Sequence, residues 1–186
     1  MDFNRYLSDG EFSALADWFR SEGEVAHYAA GDRFAEQGCR NRHCGLVVRG
    51  AFRYVHLAHS GERHVVGYAF AGEFVGDYVA MCNDALSLVS IEAMCDCTVS
   101  RADGRLLEAF YRVDAAHERL ARRLAERLTG ELYERMLQLY ACTPQERYEA
   151  LLRRCPELLN LVALKELASY LCVRPETLSR IRGRVR

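Results

Sequence analysis

Apolar positions along the chain change their period twice. Phe12, Leu15, Ala16 and Phe19 recur at steps of three and four, the spacing of one buried helical face. Ahead of them, Ser8-Asp9-Gly10-Glu11 fits a capping box, in which the Ser8 hydroxyl and the Glu11 carboxylate each satisfy a free backbone N–H. The pattern predicts one amphipathic helix ending near Gly23. From Val25 to about Val99 the helical period is gone. Short apolar runs alternate with glycines at 31, 38, 45, 50, 61, 67, 72 and 76. Residues 45–57 and 63–74 flank Ala58-His59-Ser60-Gly61, where Ser60-Gly61 can supply a tight turn. Several short strands with regular turn signals predict a rolled, jelly-roll-like β structure.

After Asp103 the period returns to that of a helix. A short segment holds Leu106, Leu107 and Phe110, and Asp114 can cap a longer helix running to about Cys142. At ~1.5 Å per residue such a helix spans on the order of 40 Å. Its apolar line is His117, Leu120, Leu124, Leu128, Leu132, Met136 and Leu139, with Arg122, Arg123, Glu126 and Arg127 opposite. So narrow a seam on so long a helix suits a second copy of the chain, with His117, Leu120, Leu124 and Leu128 as the dimer seam; Gly130 weakens it locally. The alternative is that the seam packs on the chain's own β domain. Thr143-Pro144-Gln145-Glu146 repeats the start signal, with a capping Thr, Pro at the first helical position and Glu at the third. That helix ends at Cys155-Pro156, and a short apolar connector, residues 157–163, follows.

Beyond Leu164 the spacing is that of a helix-turn-helix. Leu167, Ala168 and Leu171 make the buried side of one short helix, and Leu178 and Ile181 that of a second, opened by Pro175. Ala168 is small enough for two helices to touch at a steep angle. Cys172 stands where such a turn usually has Gly. Facing away from this core are Glu176, Ser179 and Arg180. In a major groove Arg180 can donate two hydrogen bonds to guanine, Glu176 can accept from cytosine, and Ser179 suits either base type. Thr177, Arg182 and Arg184 suit phosphates, which position a protein without specifying sequence. The plainer alternative is a helical hairpin with a solvated tail of arginines at 180, 182, 184 and 186.

Charge and thiols sharpen this picture. The net charge of −1 is unevenly spread, residues 143–186 holding nine Lys+Arg against five Asp+Glu and the rest of the chain a net of −5. A mildly acidic body with a basic end is expected if that end meets phosphate. A membrane role does not fit, since the arginines lack a neighbouring exposed apolar face and no apolar run approaches the ~20 residues of a span. Met1 leads into polar residues rather than a signal peptide, and the eight cysteines show no repeating framework. The expectation is a cytoplasmic protein with reduced thiols. Cys39-x4-Cys44 and Cys95-x-Cys97 are the close pairs, the latter with both sulfurs on one face if it lies on a strand; no metal or cluster is assigned to them. His56, His59 and His64 with Glu62 are the candidates for a cupin-like metal-dependent enzyme. Residues 56 and 59 differ by an odd number and would face opposite sides of a strand, so no catalytic set is assigned.

These stretches resemble one family. Residues 164–182, "LKELASYLCVRPETLSRIR", are similar to the DNA-binding motif of the CRP/FNR regulators, and Glu176-x-x-Ser179-Arg180 resembles the FNR-like branch. "GDRFAEQG", "LVVRGAFRYV" and "FAGEFVGD" resemble that family's cyclic-nucleotide-binding-type β roll. The resemblance implies an α+β chain with a double-stranded β-helix (jelly-roll-like) sensor domain at 1–113, a dimerisation helix at 114–142 and a helix-turn-helix domain at 143–186. It further implies a homodimer on double-stranded DNA, reading a palindromic operator with TTGA-like half-sites, and it admits RNA polymerase as a further partner. Family members usually carry a β-hairpin wing after the reading helix, for which the arginine tail stands as the expected substitute. In the family pocket a Gly-Glu pair binds ribose and an arginine shortly afterwards neutralises the cyclic phosphate. Gly72-Glu73 match the pair, but residues 81–100 contain no Lys or Arg, and Ser87 lies where the arginine is expected. A phosphate buried without a cation is costly, so the effector is expected not to be cyclic AMP. No cofactor is predicted, and the small-molecule effector stays unassigned. Besides the enzyme, a ligand-sensing adaptor that binds no DNA is the other alternative.

Overall fold

In the computed structural model residues 3–4 and 10–184 are described, so Ser8, Asp9 and Arg186 lie outside the described residues. The first helix, α1 (Ser13–Glu22), buries Leu15 and Phe19 as its spacing requires, with Phe12 at an N-cap that makes no side-chain bond. Two four-stranded antiparallel sheets follow. One runs in the order β1 (Glu24–Tyr28), β8 (Cys97–Asp103), β3 (His43–Arg49), β6 (Phe74–Val75). The other runs β2 (Arg33–Ala35), β7 (Ser90–Ala93), β4 (Ala51–Leu57), β5 (Arg63–Phe70). Phe34, Val47, Phe52, Ala69, Ile91 and Val99 close the space between them. This is the rolled β structure that alternating short runs demand.

Two details break simple alternation. Residues 45–57 form two strands, one in each sheet, divided at Gly50, whose φ is +94°. A Cβ there would sit 2.5 Å from Cys97 Sγ and 2.9 Å from Asp96 O, so only glycine lets the chain cross between sheets at that point. In β4 a register shift between Tyr54 and Val55 turns Val55 inward three residues after Phe52. A short helix, α2 (Tyr78–Cys82), capped by Asp77, interrupts the strands.

From Asp103 onward the caps act as read. Asp103 caps α3 (Gly104–Tyr111) and Asp114 caps α4 (Ala115–Ala141), accepting from Ala116 N at 2.8 Å and His117 N at 3.0 Å. Asp114 is held down to about 2, first by the His117 side chain and then by these N–H donors. Both halves of the Thr143–Glu146 capping box are formed at the start of α5 (Pro144–Arg154). The apolar connector folds into a helical turn, α6 (Leu158–Leu161), because fully buried Leu158 needs an anchor under α5.

α7 (Leu164–Tyr170) and α8 (Pro175–Arg184) meet through Leu167, Ala168, Leu171, Leu178 and Ile181, all buried, with Ala168 0% exposed at the crossing. The turn between them is a Schellman motif: Val173 N donates to Ala168 O and Cys172 N to Ser169 O, both at 3.0 Å. Cys172 adopts φ +54°, the left-handed region, although it has a Cβ. Cys172→Gly is therefore expected to stabilise the chain by about 1 kcal/mol, raising the thermal midpoint by about 2–4 °C. A differential scan in which the midpoint falls would show that the Cys172 side chain contributes more than its backbone strain costs.

The apolar line of α4 divides. Leu124 is buried, and Leu120 and Leu128 are packed with it against Phe12, Leu15, Phe19 and Leu107 of the same chain. His117 meets Phe110 edge-on, ring centroids 4.6 Å apart. The N-terminal half of the seam thus faces its own domain, the alternative left open by its spacing. The distal half is exposed: Leu132, Tyr133, Met136, Leu137, Leu139 and Tyr140, the last 86% exposed.

Candidate nucleic-acid interface and the junction behind it

Helix α8 turns Leu178 and Ile181 into the core and leaves Glu176, Ser179, Arg180 and Arg184 exposed, with Thr177 and Arg182 half-buried at the flanks. The sequence-predicted reading residues therefore share one solvent face. Glu176 and Arg180 stand four residues apart, a spacing that favours an ion pair. None is formed among the described residues, so both heads remain available to a partner. Arg182 and Arg184 occupy the last turn, where cations meet the negative end of the helix dipole.

The unit carrying this face is held against the β roll from behind. Val65 N donates to Ser169 Oγ at 2.9 Å, joining β5 to α7. Arg53 pairs with Glu166 of α7 and, at 3.0 Å, with Glu92 of β7, which also takes Arg63 at 2.7 Å. Burial works to raise the Glu92 carboxyl, but Arg63 and Arg53 together hold it below its usual range. The Arg135 guanidinium lies 3.8 Å from the Tyr170 ring centroid and donates to Tyr170 O at 2.7 Å. Arg147 ties the start of α5 to the turn, donating to Leu171 O at 3.1 Å and Cys142 O at 2.7 Å. Phe3, Tyr68, Phe70 and Tyr170 fill the interface with edge and tilted ring contacts. Sequence reasoning did not single out Arg53, Tyr68, Glu92, Arg135 or Tyr170. Their partners lie on other elements, and no local spacing marks them.

Between β5, α4 and α7 lies a cavity of ≈ 430 Å³ lined by side chains that include Tyr54, Val66, Tyr68, Leu124, Leu128 and Tyr170. Gly72, Glu73 and Ser87, the residues expected to hold an effector, do not line it. Glu73 is buried, accepting from Asn4 N at 2.7 Å, Asn4 Nδ2 at 2.6 Å and Phe70 N at 3.0 Å. Burial pushes its carboxyl up, and the Asn4 and Phe70 donors only partly oppose this. Ser87, also buried, donates from Oγ to Asp77 Oδ2 at 2.8 Å and lies within 2.9 Å of Val89 O. No hydrogen bond joins Glu73 to Ser87 among the described residues. Gly72 is exposed at φ +89° and needs glycine for that backbone conformation rather than for space, since a Cβ there would meet nothing within 4 Å.

The remaining candidate chemistry is dispersed. His56 and His64 are cross-strand neighbours near the β4–β5 turn, His56 Nδ1 being 2.8 Å from Leu88 O and His64 Nε2 3.7 Å from Glu62 Oε2. His59 lies exposed in the turn itself. Cys95 sits in the bend before β8 rather than on the strand, exposed, while Cys97 is buried with its thiol toward Ala51 O and Cys95 O. The two sulfurs thus do not share a strand face. Among the described residues no group of three or more His, Cys, Asp and Glu is arranged to hold a metal, and no helix is long and apolar enough to cross a membrane.

Residues 25–114 match the family described as the cyclic nucleotide-binding domain. No curated protein matches the sequence. Solved structures similar to this chain include FixK2 from Bradyrhizobium japonicum, with a TM-score of 0.72 and 21% identity over 88% of this chain and 84% of that one. The c-di-GMP responsive global regulator CLP from Xanthomonas campestris gives 0.70 and 15% over 93% and 91%. A transcriptional regulator of the CRP/FNR family from Thermus thermophilus gives 0.62 and 18% over 87% and 85%. Residues 25–114 thus match the cyclic nucleotide-binding domain family, and the whole chain, from β roll through long helix to helix-turn-helix, has the fold of the CRP/FNR regulators.

Proposed function

We propose that the chain is a sequence-specific DNA-binding transcription regulator that acts as a homodimer on a two-fold symmetric operator. The observation that carries this reading is the face of α8. Glu176, Ser179 and Arg180 project to solvent from a helix pinned by Leu178 and Ile181, with Arg182 and Arg184 beside them. Base-reading and phosphate-binding groups on one protruding helix match what a major groove offers. The exposed distal half of α4 supports the dimer, and two reading helices about 34 Å apart would enter successive major grooves on one side of the duplex.

The β roll serves as the sensor, and its effector is not a cyclic nucleotide. Residues 81–100 supply no cation for a cyclic phosphate, and the Glu73 carboxylate that would meet a ribose is engaged by Asn4 and Phe70. Selection from random duplexes with purified protein tests this, run with and without cyclic AMP. Enrichment of the same inverted repeat in both arms is expected. Recovery of no preferred sequence would rule out specific reading, and an operator found only with cyclic AMP would overturn the effector assignment.

Arg182→Ala and Arg184→Ala are expected to weaken binding to every duplex alike. Each should also reduce the slope of log affinity against log salt by about one, because each removes one phosphate contact and its released counterion. Fluorescence anisotropy on specific and random duplexes across a salt series measures both quantities; an unchanged slope would remove these arginines from the phosphate backbone.

A further inference from the structure

The cavity between β5, α4 and α7 has a wall too particular to be a packing fault. It is largely apolar and aromatic, with Val66, Leu124 and Leu128 beside Tyr68 and Tyr170, and at ≈ 430 Å³ it is of the size that small-molecule sites occupy. Tyr68 lines it, is 2% exposed, and has a hydroxyl with no hydrogen-bond partner among the described residues. A buried hydroxyl left without a partner is costly, so its persistence in a tightly packed aromatic cluster points to a group that it meets. Burial pushes the Tyr68 phenol well up, which keeps its proton and makes it a donor. The Tyr111 hydroxyl, on the same wall, likewise has no partner among the described residues.

Of the charged groups on that wall, Glu134 is exposed to water and the others are already engaged. Arg154 pairs with Glu131 at 2.7 Å and donates to Phe3 O at 2.7 Å. Arg135 lies on the Tyr170 ring and donates to Tyr170 O. Asp77 accepts from Ala80 N, Leu88 N and Ser87 Oγ. An anion would find no uncommitted cation among these groups, and the carboxylate left to a cation, Glu134, is already solvated by bulk water. A neutral molecule is what remains.

We propose that this cavity binds an uncharged aromatic molecule of two or three rings carrying a hydrogen-bond acceptor, with the Tyr68 hydroxyl as the donor to it. The proposal rests on the reading of the β roll as the sensor of a regulator. The cavity wall is shared by β5 through Tyr68, by α4 through Leu124 and Leu128, and by α7 through Tyr170, whose ring centroid is 5.6 Å from that of Tyr68. Occupancy therefore bears directly on how the helix-turn-helix sits against the sensor.

Benzophenone and diphenylmethane test it, since they share a skeleton and differ in one carbonyl oxygen. Both are titrated calorimetrically into the full chain and into Tyr68→Phe. The expected result is that Tyr68→Phe weakens benzophenone roughly tenfold while diphenylmethane is unchanged or slightly tighter. Irradiated benzophenone, which inserts into nearby C–H bonds, should label peptides containing Val66, Leu124 or Leu128. Tyr68→Phe alone should raise the thermal midpoint of the unliganded protein by a few degrees, because it removes the unpartnered hydroxyl. Leu128→Trp, which fills the cavity from α4, should lower both affinities more than tenfold. Failure of both probes to bind wild-type protein, an equal effect of Tyr68→Phe on both, or labelling confined to other peptides would overturn the assignment. Operator binding is measured on the same preparations. If it stays dependent on Arg180 while benzophenone fails, only the ligand assignment falls; if it is absent, the regulator reading falls with it.

Discussion

Arg180→Ala is expected to lower affinity for the cognate duplex by ~1–3 kcal/mol while leaving affinity for unrelated duplex nearly unchanged. The side chain sits on the solvent face of α8, backed by Leu178 and Ile181, and no carboxylate among the described residues holds it. A guanidinium so placed can make the two-pronged contact to a guanine edge, which discriminates bases, whereas a phosphate contact does not. The comparison with Arg182→Ala and Arg184→Ala gives the result its meaning, because those substitutions should weaken all duplexes together. Competition anisotropy with operator and scrambled duplexes measures both affinities. If Arg180→Ala lowers them equally, Arg180 is a backbone contact and the reading face has been misassigned.

The larger effect is expected from Tyr133→Glu combined with Leu137→Glu. Both residues are exposed on the distal half of α4, beside Leu132, Met136 and Tyr140, an apolar face that water leaves uncovered at a cost. Two buried carboxylates facing their symmetry mates would disfavour association through desolvation and like-charge repulsion. Sedimentation should show a dimer for wild type and a monomer for the double variant. Operator affinity should fall by roughly 10²–10⁴, because the second half-site contact is no longer intramolecular. Leu124→Ala provides the contrast. Leu124 is packed against Phe12, Leu15 and Phe19 of its own chain, so its truncation should cost about 2–5 kcal/mol of folding stability. A dimer lost on Leu124→Ala with stability unchanged would return the interface to His117, Leu120, Leu124 and Leu128.

The two experiments test features of different legibility. The solvent face of α8 could be derived from spacing alone, since a short helix opened by Pro175 fixes which residues lie opposite Leu178 and Ile181. The packing of α4 could not. Periodicity identified an apolar line from His117 to Leu139 but not its partner. The helix drifts along so long a stretch, and its first half packs on α1 and the β roll of its own chain. The surroundings of the expected effector residues were hidden from the sequence for a related reason. Glu73 acquired its partner from Asn4, 69 positions away, a contact no motif encodes.

What the sequence determined unaided is therefore what local chemistry dictates. The caps at Asp114 and Thr143, the Cys172 turn and the outward residues of α8 each depend on neighbours within a few positions. Tertiary structure decided the rest: the division of residues 45–57 between two sheets at Gly50, the seating of α7 on β5, and the cavity beneath Tyr68. These depend on which distant surfaces meet, and hydrophobic burial is non-directional. It states that a face must be covered and leaves the covering partner to be fixed by the packing of the whole chain.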